Sequence, residues 1–216
     1  MGNTLDPRFT GADAGRGSKN NDSSRGRLLR VLPFLLATAL LAVPREHVIV
    51  AIGDSLTAGY GVPGDSSYPA LLEIELKKRG YAYRVVNQGV TASTSTQALG
   101  RLTRALAEQP DIVIIQLGGN DVSQGIPQSV SRDNVRRIIQ RFKPGGAKVF
   151  LAGGRVAYLD ELARQEKIEI IPFLEGVAGH RDLLLEDGVH PNANGYRIVV
   201  GNILKVLEPS LRESAK

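Results

Sequence analysis

The chain has 216 residues, carries a formal charge of +5 and contains no cysteine. That excludes disulfides, thiolate metal sites, cysteine nucleophiles and lipidated cysteines, and the length suits one domain, or one domain with an appendage, whose core needs no covalent staple. The charge is uneven: the first 46 residues hold seven Lys or Arg against four Asp or Glu, and the remainder is nearly balanced, which argues against a nucleic-acid groove.

Residues 1–24 are polar, rich in Gly, Asn, Asp and Ser, and lack an apolar period; they read as a disordered extension. Across residues 25–44, Arg25, Arg27 and Arg30 lead into an apolar run at 31–43. That run is short for a bilayer span and fits the basic and hydrophobic parts of a secretory signal, with Ala37-Thr38-Ala39 as a small-x-small cleavage site. Export is the expectation, either as a released monomer or with the uncleaved segment as a membrane tether. The structural alternative is an extra helix packed on the domain.

From residue 45 onward strand and helix patterns alternate. HVIVAIG (47–53) is apolar throughout, as in a strand buried on both faces. YPALLEIELKKRG reads as a helix stopped by Gly80, and YRVVNQG as a second strand. STQALGRLTRALAEQ predicts one helix with Leu99, Leu102 and Leu106 at helical spacing, followed by the buried strand and loop DIVIIQLGGND. SRDNVRRIIQRF predicts a helix with Val135, Ile138, Ile139 and Phe142 inward. AKVFLAGG is a fourth strand, VAYLDELARQE a helix, IEIIPF a fifth strand and PNANGYRIVVGNILKVLEP a closing helix.

Such alternation implies right-handed βαβ units around a parallel sheet covered on both faces. Ligands bind such sheets at the carboxyl ends of the strands. The polar clusters fall there: Asp54-Ser55 after the first strand, residues 87–95 at and after the second, 118–121 after the third, and Asp187 with His190 between the fifth strand and the last helix.

Taken singly, each cluster has an ordinary reading. Ser55 suits a helix cap, the glycine-rich loops suit turns, and Asp-x-x-His suits a turn ahead of a helix. Their chemistry together is more specific. A serine hydroxyl attacks only when a base takes its proton, usually a histidine oriented by a carboxylate. The chain has three histidines. His47 opens a strand and His180 lies in a polar loop, positions that suit surface or packing residues. His190 follows Asp187 by three residues in EDGVHPN, where Gly188 permits a tight turn and Pro191 favours a first helical turn. Ester hydrolysis also needs donors for the developing oxyanion. The N–H of Ser55 at a helix start and the amide of Asn120 are candidates, with a third donor from NQGVTASTS.

The four segments IGDSL, NQGVTASTS, LGGND and DGVHPN, in this order, resemble the four blocks of the SGNH (GDSL) hydrolase superfamily, and most of all its bacterial arylesterase and acyl-thioesterase branch. The resemblance covers roughly residues 47–209. It implies a flavodoxin-like three-layer α/β/α sandwich around a five-stranded parallel sheet. It also implies Ser55 as nucleophile and first oxyanion donor, Asn120 as a further donor, His190 as base and Asp187 as its orienter. Asp54 would support the turn carrying Ser55; the residues themselves suggest that Gly118 and Gly119 allow close substrate approach. No cofactor or metal is implied.

Two departures stand out. The family's second block reads Asn-x-x-x-x-Gly-Asp-Thr, and its glycine N–H is an oxyanion donor; counted from Asn87, this chain has Ala92-Ser93-Thr94. Alanine keeps the N–H, but a position requiring φ > 0 would strain it. Arylesterase-like relatives also carry a longer segment after the fourth strand, where this chain passes from Gly153-Gly154-Arg155 into a helix. The acyl pocket should be shorter or more open there, favouring short-chain or aryl esters. The expected activity is hydrolysis of a small-molecule carboxylic ester or thioester. The alternatives are O-deacetylation of an acylated glycan on the same triad, and a catalytically weak binding relative suggested by Ala92.

Overall fold

The computed structural model describes residues 46–211 except 155. The extension at 1–24, the signal-like segment at 25–44, and Arg155 lie outside the described residues. Five strands, β1 (His47–Gly53), β2 (Tyr83–Gly89), β3 (Ile112–Gln116), β4 (Lys148–Ala152) and β5 (Glu169–Ile171), pair in parallel in the order β2-β1-β3-β4-β5. This is the flavodoxin-like order, in which the chain leaves β1 toward opposite sides and opens a crevice between β1 and β3.

The apolar strands are continuous because helices cover both faces. Alternate residues of β1 and β3 serve opposite layers. Ile49, Ala51, Ile112 and Ile114 pack with α2 (Tyr68–Lys78) and α8 (Ala193–Leu207), through residues such as Leu72, Leu76, Val199 and Ile203. Val48, Val50, Ile52, Val113 and Ile115 pack on the other side with α6 (Gln128–Phe142) and α7 (Tyr158–Glu166). The inward residues expected on α6, Val135, Ile138, Ile139 and Phe142, are all buried. At about 1.5–3 kcal/mol for each large apolar side chain taken from water, these two layers hold the sheet rigid beneath the loops at its carboxyl edge.

Three elements differ from the sequence expectation. The segment expected as one helix is two, α3 (Ser95–Gly100) and α4 (Leu102–Ala107), broken at Arg101 with φ −112° and ψ 16°. Arg101 breaks step because its side chain reaches back to Gly53 and Ser93 rather than lying along a helix face. Asn120 lies on a short helix, α5 (Gly119–Ser123), rather than in a loop. Pro191 is not in the first turn of α8: it sits in an isolated antiparallel bridge with Leu184, and Asn192 caps the helix by accepting from Asn194 N and Gly195 N.

Candidate active site

Strand β1 ends at Gly53, where an added Cβ would lie 2.0 Å from Thr57 Oγ1 and 2.7 Å from the Gln116 carbonyl oxygen. Only glycine allows the chain to turn this tightly into α1 (Ser55–Ala58). Asp54 caps that helix, its Oδ1 accepting from Leu56 N at 3.0 Å. Tyr196 on α8 closes the far side by donating its hydroxyl to the Leu56 carbonyl at 3.0 Å. Ser55 is thus the first residue of a braced helical turn. Among the described residues, its N–H and that of Ala92 have no hydrogen-bond acceptor. Two free donors therefore flank the site.

The 187–190 loop brings the other side chains to Ser55. Asp187 Oδ1 accepts from Val189 N at 2.8 Å and His190 N at 3.0 Å, which winds the loop around the carboxylate. Its Oδ2 lies 2.7 Å from His190 Nδ1, and His190 Nε2 lies 2.8 Å from Ser55 Oγ. The backbone N–H of His190, then that of Val189, then the imidazole contact hold the Asp187 carboxyl down to a pKa of about 2. Asp187 stays anionic throughout the working pH range, although it is well exposed to solvent.

The third strand delivers Asn120. Its Nδ2 donates to Asp54 Oδ2 at 3.3 Å and to the Ser93 carbonyl at 3.1 Å, so both amide hydrogens are engaged and the bond to Asp54 is the longer. Asp121, the next residue, is buried and accepts from Ser95 N and Ser95 Oγ. Asn134 on α6 donates to Ser95 Oγ and Thr96 Oγ1. This network ties α5 to the start of α3. Ala92 takes φ +61°, in the left-handed region where a Cβ is strained. Asp54 is buried, and burial raises its pKa above the ordinary carboxylate value despite its hydrogen bonds.

Each site residue expected from the sequence is therefore gathered at one edge of the sheet. Ser55, His190 and Asp187 form one hydrogen-bonded chain, Asn120 bridges Asp54 and the 92–94 loop, and Gly119 lines the cavity beside Ser55. The other two histidines lie elsewhere: His47 stacks on Tyr83 at 5.0 Å, and His180 is exposed ahead of a turn. Sequence reasoning missed Gln116, Arg101 and Tyr60. Gln116 is buried and its Oε1 accepts from Thr57 Oγ1 at 3.1 Å. Arg101 donates to the Gly53 carbonyl and to Ser93 Oγ, and burial lowers its pKa against the opposing charge of Asp54. Tyr60 rests on His190 with ring centroids 4.7 Å apart. The signal for Tyr60 was an aromatic residue set between two glycines just after the Gly-Asp-Ser-Leu turn.

A cavity of about 350 Å³ opens beside Ser55 and His190. Asn120 and Gly119 border one side, and Leu117, Ala152, Val156, Leu159, Phe173 and Leu174 make an apolar wall. The short connector from β4 to α7 contributes Gly153 and Val156. Among the described residues, no three His, Asp or Glu side chains group as ligands for a metal ion, and no helix is long and apolar enough to cross a membrane.

A flavodoxin-like sheet with serine, histidine, aspartate and free backbone donors at its carboxyl edge defines the class first, a three-layer α/β hydrolase of the esterase kind. Residues 51–198 match the GDSL-like Lipase/Acylhydrolase family. Esterase TesA of Pseudomonas aeruginosa is 34% identical over 200 residues, covering 86% of this chain and all of that protein. The arylesterase of Vibrio mimicus is 32% identical over 180 residues, covering 76% of this chain and 90% of its own. Among solved structures, that of TesA superposes with a TM-score of 0.70 at 34% identity, over 76% of this chain and 99% of the other. AlinE4, an SGNH-hydrolase family esterase, gives 0.61 at 32% identity, over 78% and 98%. The chain belongs to the GDSL-like lipase/acylhydrolase family and is a carboxylic ester hydrolase of the SGNH type.

Proposed function

We propose that the protein hydrolyses esters through an acyl-enzyme on Ser55. His190 Nε2 takes the Ser55 Oγ proton as the oxygen attacks the ester carbonyl carbon. Asp187 holds the imidazole with its proton on Nδ1, leaving Nε2 as the acceptor. The oxyanion that forms is met by the N–H groups of Ser55 and Ala92 and by Asn120 Nδ2. It competes with Asp54 for one Asn120 hydrogen, and the 3.3 Å bond is the one to yield. Collapse of the tetrahedral intermediate breaks the ester C–O bond while His190 Nε2 returns the proton to the leaving oxygen. Water then repeats the sequence on the acyl-enzyme. What supports this reading above all is the unbroken chain from Asp187 to Ser55 at 2.7 and 2.8 Å.

The apolar wall supports an acyl group in the cavity, whose volume is near the small end of the roughly 300–1,000 Å³ of small-molecule sites. Short acyl chains are the expected substrates; an O-acetylated glycan presents the same short acyl group, and the same triad would serve it. Initial rates on p-nitrophenyl acetate, butyrate and octanoate test this. The shorter esters should react fastest, and Ser55→Ala or His190→Ala should abolish the reaction. A Ser55→Ala protein as active as the unaltered one overturns the reading. We propose in addition that residues 25–44 direct export, on their basic-then-apolar pattern. Cell fractionation tests this, and activity confined to the cytoplasm refutes it.

A further inference from the structure

The chemistry above uses His190 but gives no role to the ring that covers it. Tyr60 follows α1 and sits between Gly59 and Gly61, both at positive φ, 81° and 76°. An added Cβ on Gly61 would lie 2.3 Å from Leu185 Cδ1, so the turn packs closely against the segment leading to the 187–190 loop. Leu185 N in turn donates to the His190 carbonyl at 2.8 Å, and Tyr60 N donates to the Ser55 carbonyl at 3.0 Å. The Tyr60 backbone is therefore fixed relative to both Ser55 and His190. Its ring contacts the imidazole at 4.7 Å with a 45° tilt, yet the residue is 49% exposed. An aromatic face is held beside the reacting atoms and left open to solvent.

Its position decides which half of an ester it can meet. The apolar cavity lies on the side of α5, the β4–α7 connector and Phe173, and Tyr60 is not part of its wall. With the acyl group in that cavity, the alcohol half must extend the other way from Ser55. His190 Nε2 protonates the leaving oxygen, so that oxygen sits within hydrogen-bond reach of Nε2. The group attached to it then lies within one ring's span of Tyr60.

We propose that Tyr60 is a binding platform for the leaving group, and that it selects esters of aromatic alcohols, such as phenyl esters, over those of alkyl alcohols. This rests on the serine-esterase reading. A phenyl leaving group meets the open Tyr60 ring in an offset or edge-on contact. Aromatic pairing beyond simple area burial corresponds to about 3- to 10-fold in rate or affinity.

Phenyl acetate and 2,2,2-trifluoroethyl acetate share an acyl group and test the platform directly. Tyr60→Ala should lower kcat/KM on phenyl acetate about 3- to 10-fold more than on the trifluoroethyl ester. Tyr60→Phe, which keeps the ring, should leave the ratio unchanged. Tyr60→Leu keeps apolar bulk without the aromatic face and serves where the alanine variant folds poorly. Rates are normalised to intact sites by titration with a p-nitrophenyl phosphonate, which phosphonylates the serine hydroxyl and releases p-nitrophenol. Equal losses on both esters, with a shifted acid limb in the pH profile, would mean that Tyr60 only positions His190, and would overturn the platform. Undiminished phenyl acetate hydrolysis by Ser55→Ala would instead sink the serine-esterase reading itself.

Discussion

Two aspartates stand on either side of Ser55, and their surroundings drive them in opposite directions. Asp54 is buried at the helix cap, and desolvation raises its pKa. Asp187 lies at the surface, and hydrogen bonds from His190 N, Val189 N and the imidazole bring its pKa down to about 2. The difference shows that burial is not what makes a carboxylate a good partner for histidine here. A loop that aims two backbone N–H groups at one oxygen keeps the charge on Asp187 and leaves its other oxygen for Nδ1. Asp54 instead spends both oxygens on architecture, one on the α1 cap and one on Asn120.

The largest effect that separates the two is expected from Asp187→Asn. The amide oxygen can keep both backbone contacts, so the melting temperature should change little. The amide nitrogen, however, would donate toward Nδ1 and force the proton onto Nε2, where it blocks the base. A loss of about 10³- to 10⁴-fold in kcat is expected from the wrong tautomer, read on p-nitrophenyl butyrate. A loss below tenfold would show that Asp187 merely shapes the loop. The acid limb of the pH–rate profile should in addition show a single ionisation, that of the imidazole, which must be neutral to act as base. A second proton bound above pH 3 would contradict the low Asp187 pKa.

Asn120→Ala should come next. Removing one oxyanion donor costs about 2.7–4 kcal/mol in transition-state stabilisation, or roughly 10²- to 10³-fold in kcat. KM should be nearly constant, because the donor acts on the developing charge. A change confined to KM would place Asn120 in ground-state binding instead.

Asp54→Asn is expected to do less. The Oδ1 cap on Leu56 N survives, but an amide nitrogen would face Asn120 Nδ2 donor to donor. A kcat loss of about tenfold would follow from a misaimed Asn120, roughly 1.4 kcal/mol. Stability should respond with the opposite sign to that of Asp187. For Asp54 the folded pKa is raised, so its ionisation opposes folding as pH rises through the interval above 3.8. For Asp187 the folded pKa is depressed, so its contribution is present above 3.8 and lost as pH falls toward about 2. Asp54→Asn should therefore flatten any gain in melting temperature on acidification, and Asp187→Asn should flatten the loss. Identical pH–stability curves for the two variants would break the contrast.

The contrast also marks what could be read from the sequence. The strands were legible because both faces are buried, which leaves unbroken apolar runs such as IVII at 112–115 in β3. The site was legible because three of the four blocks lie at strand ends and the fourth leads into the last helix, and the topology brings them to one edge. Features set by contacts distant in sequence were not legible. Arg101 breaks α3 from α4 because its guanidinium is drawn to Gly53, 48 residues away. Helix α5 forms where Asp121 can anchor to Ser95, 26 residues away. Periodicity carries no trace of either pull, whereas the strain at Ala92 could be suspected from the resemblance, because the family's second block has glycine there.

Ala92 offers the smallest and sharpest test. Its φ of +61° costs a non-glycine residue about 1–2 kcal/mol, and the residue is held there from one side. The following residue, Ser93, is pinned by Asn120 at its carbonyl and by Arg101 at its hydroxyl. Ala92→Gly removes the strain, but the added freedom of the unfolded chain returns about 0.5–1 kcal/mol. The net gain of up to about 1.5 kcal/mol should raise the melting temperature by roughly 2–4 °C for each kcal/mol gained. If strain also tilts the Ala92 N–H away from the oxyanion, kcat on a simple ester should rise about two- to threefold, equivalent to roughly half a kcal/mol. A higher melting temperature with unchanged kcat would mean that the clamp on Ser93 already aims the donor. No rise in either quantity would show that the loop accommodates alanine without strain, and that the left-handed turn is imposed by Asn120 and Arg101 rather than resisted at Ala92.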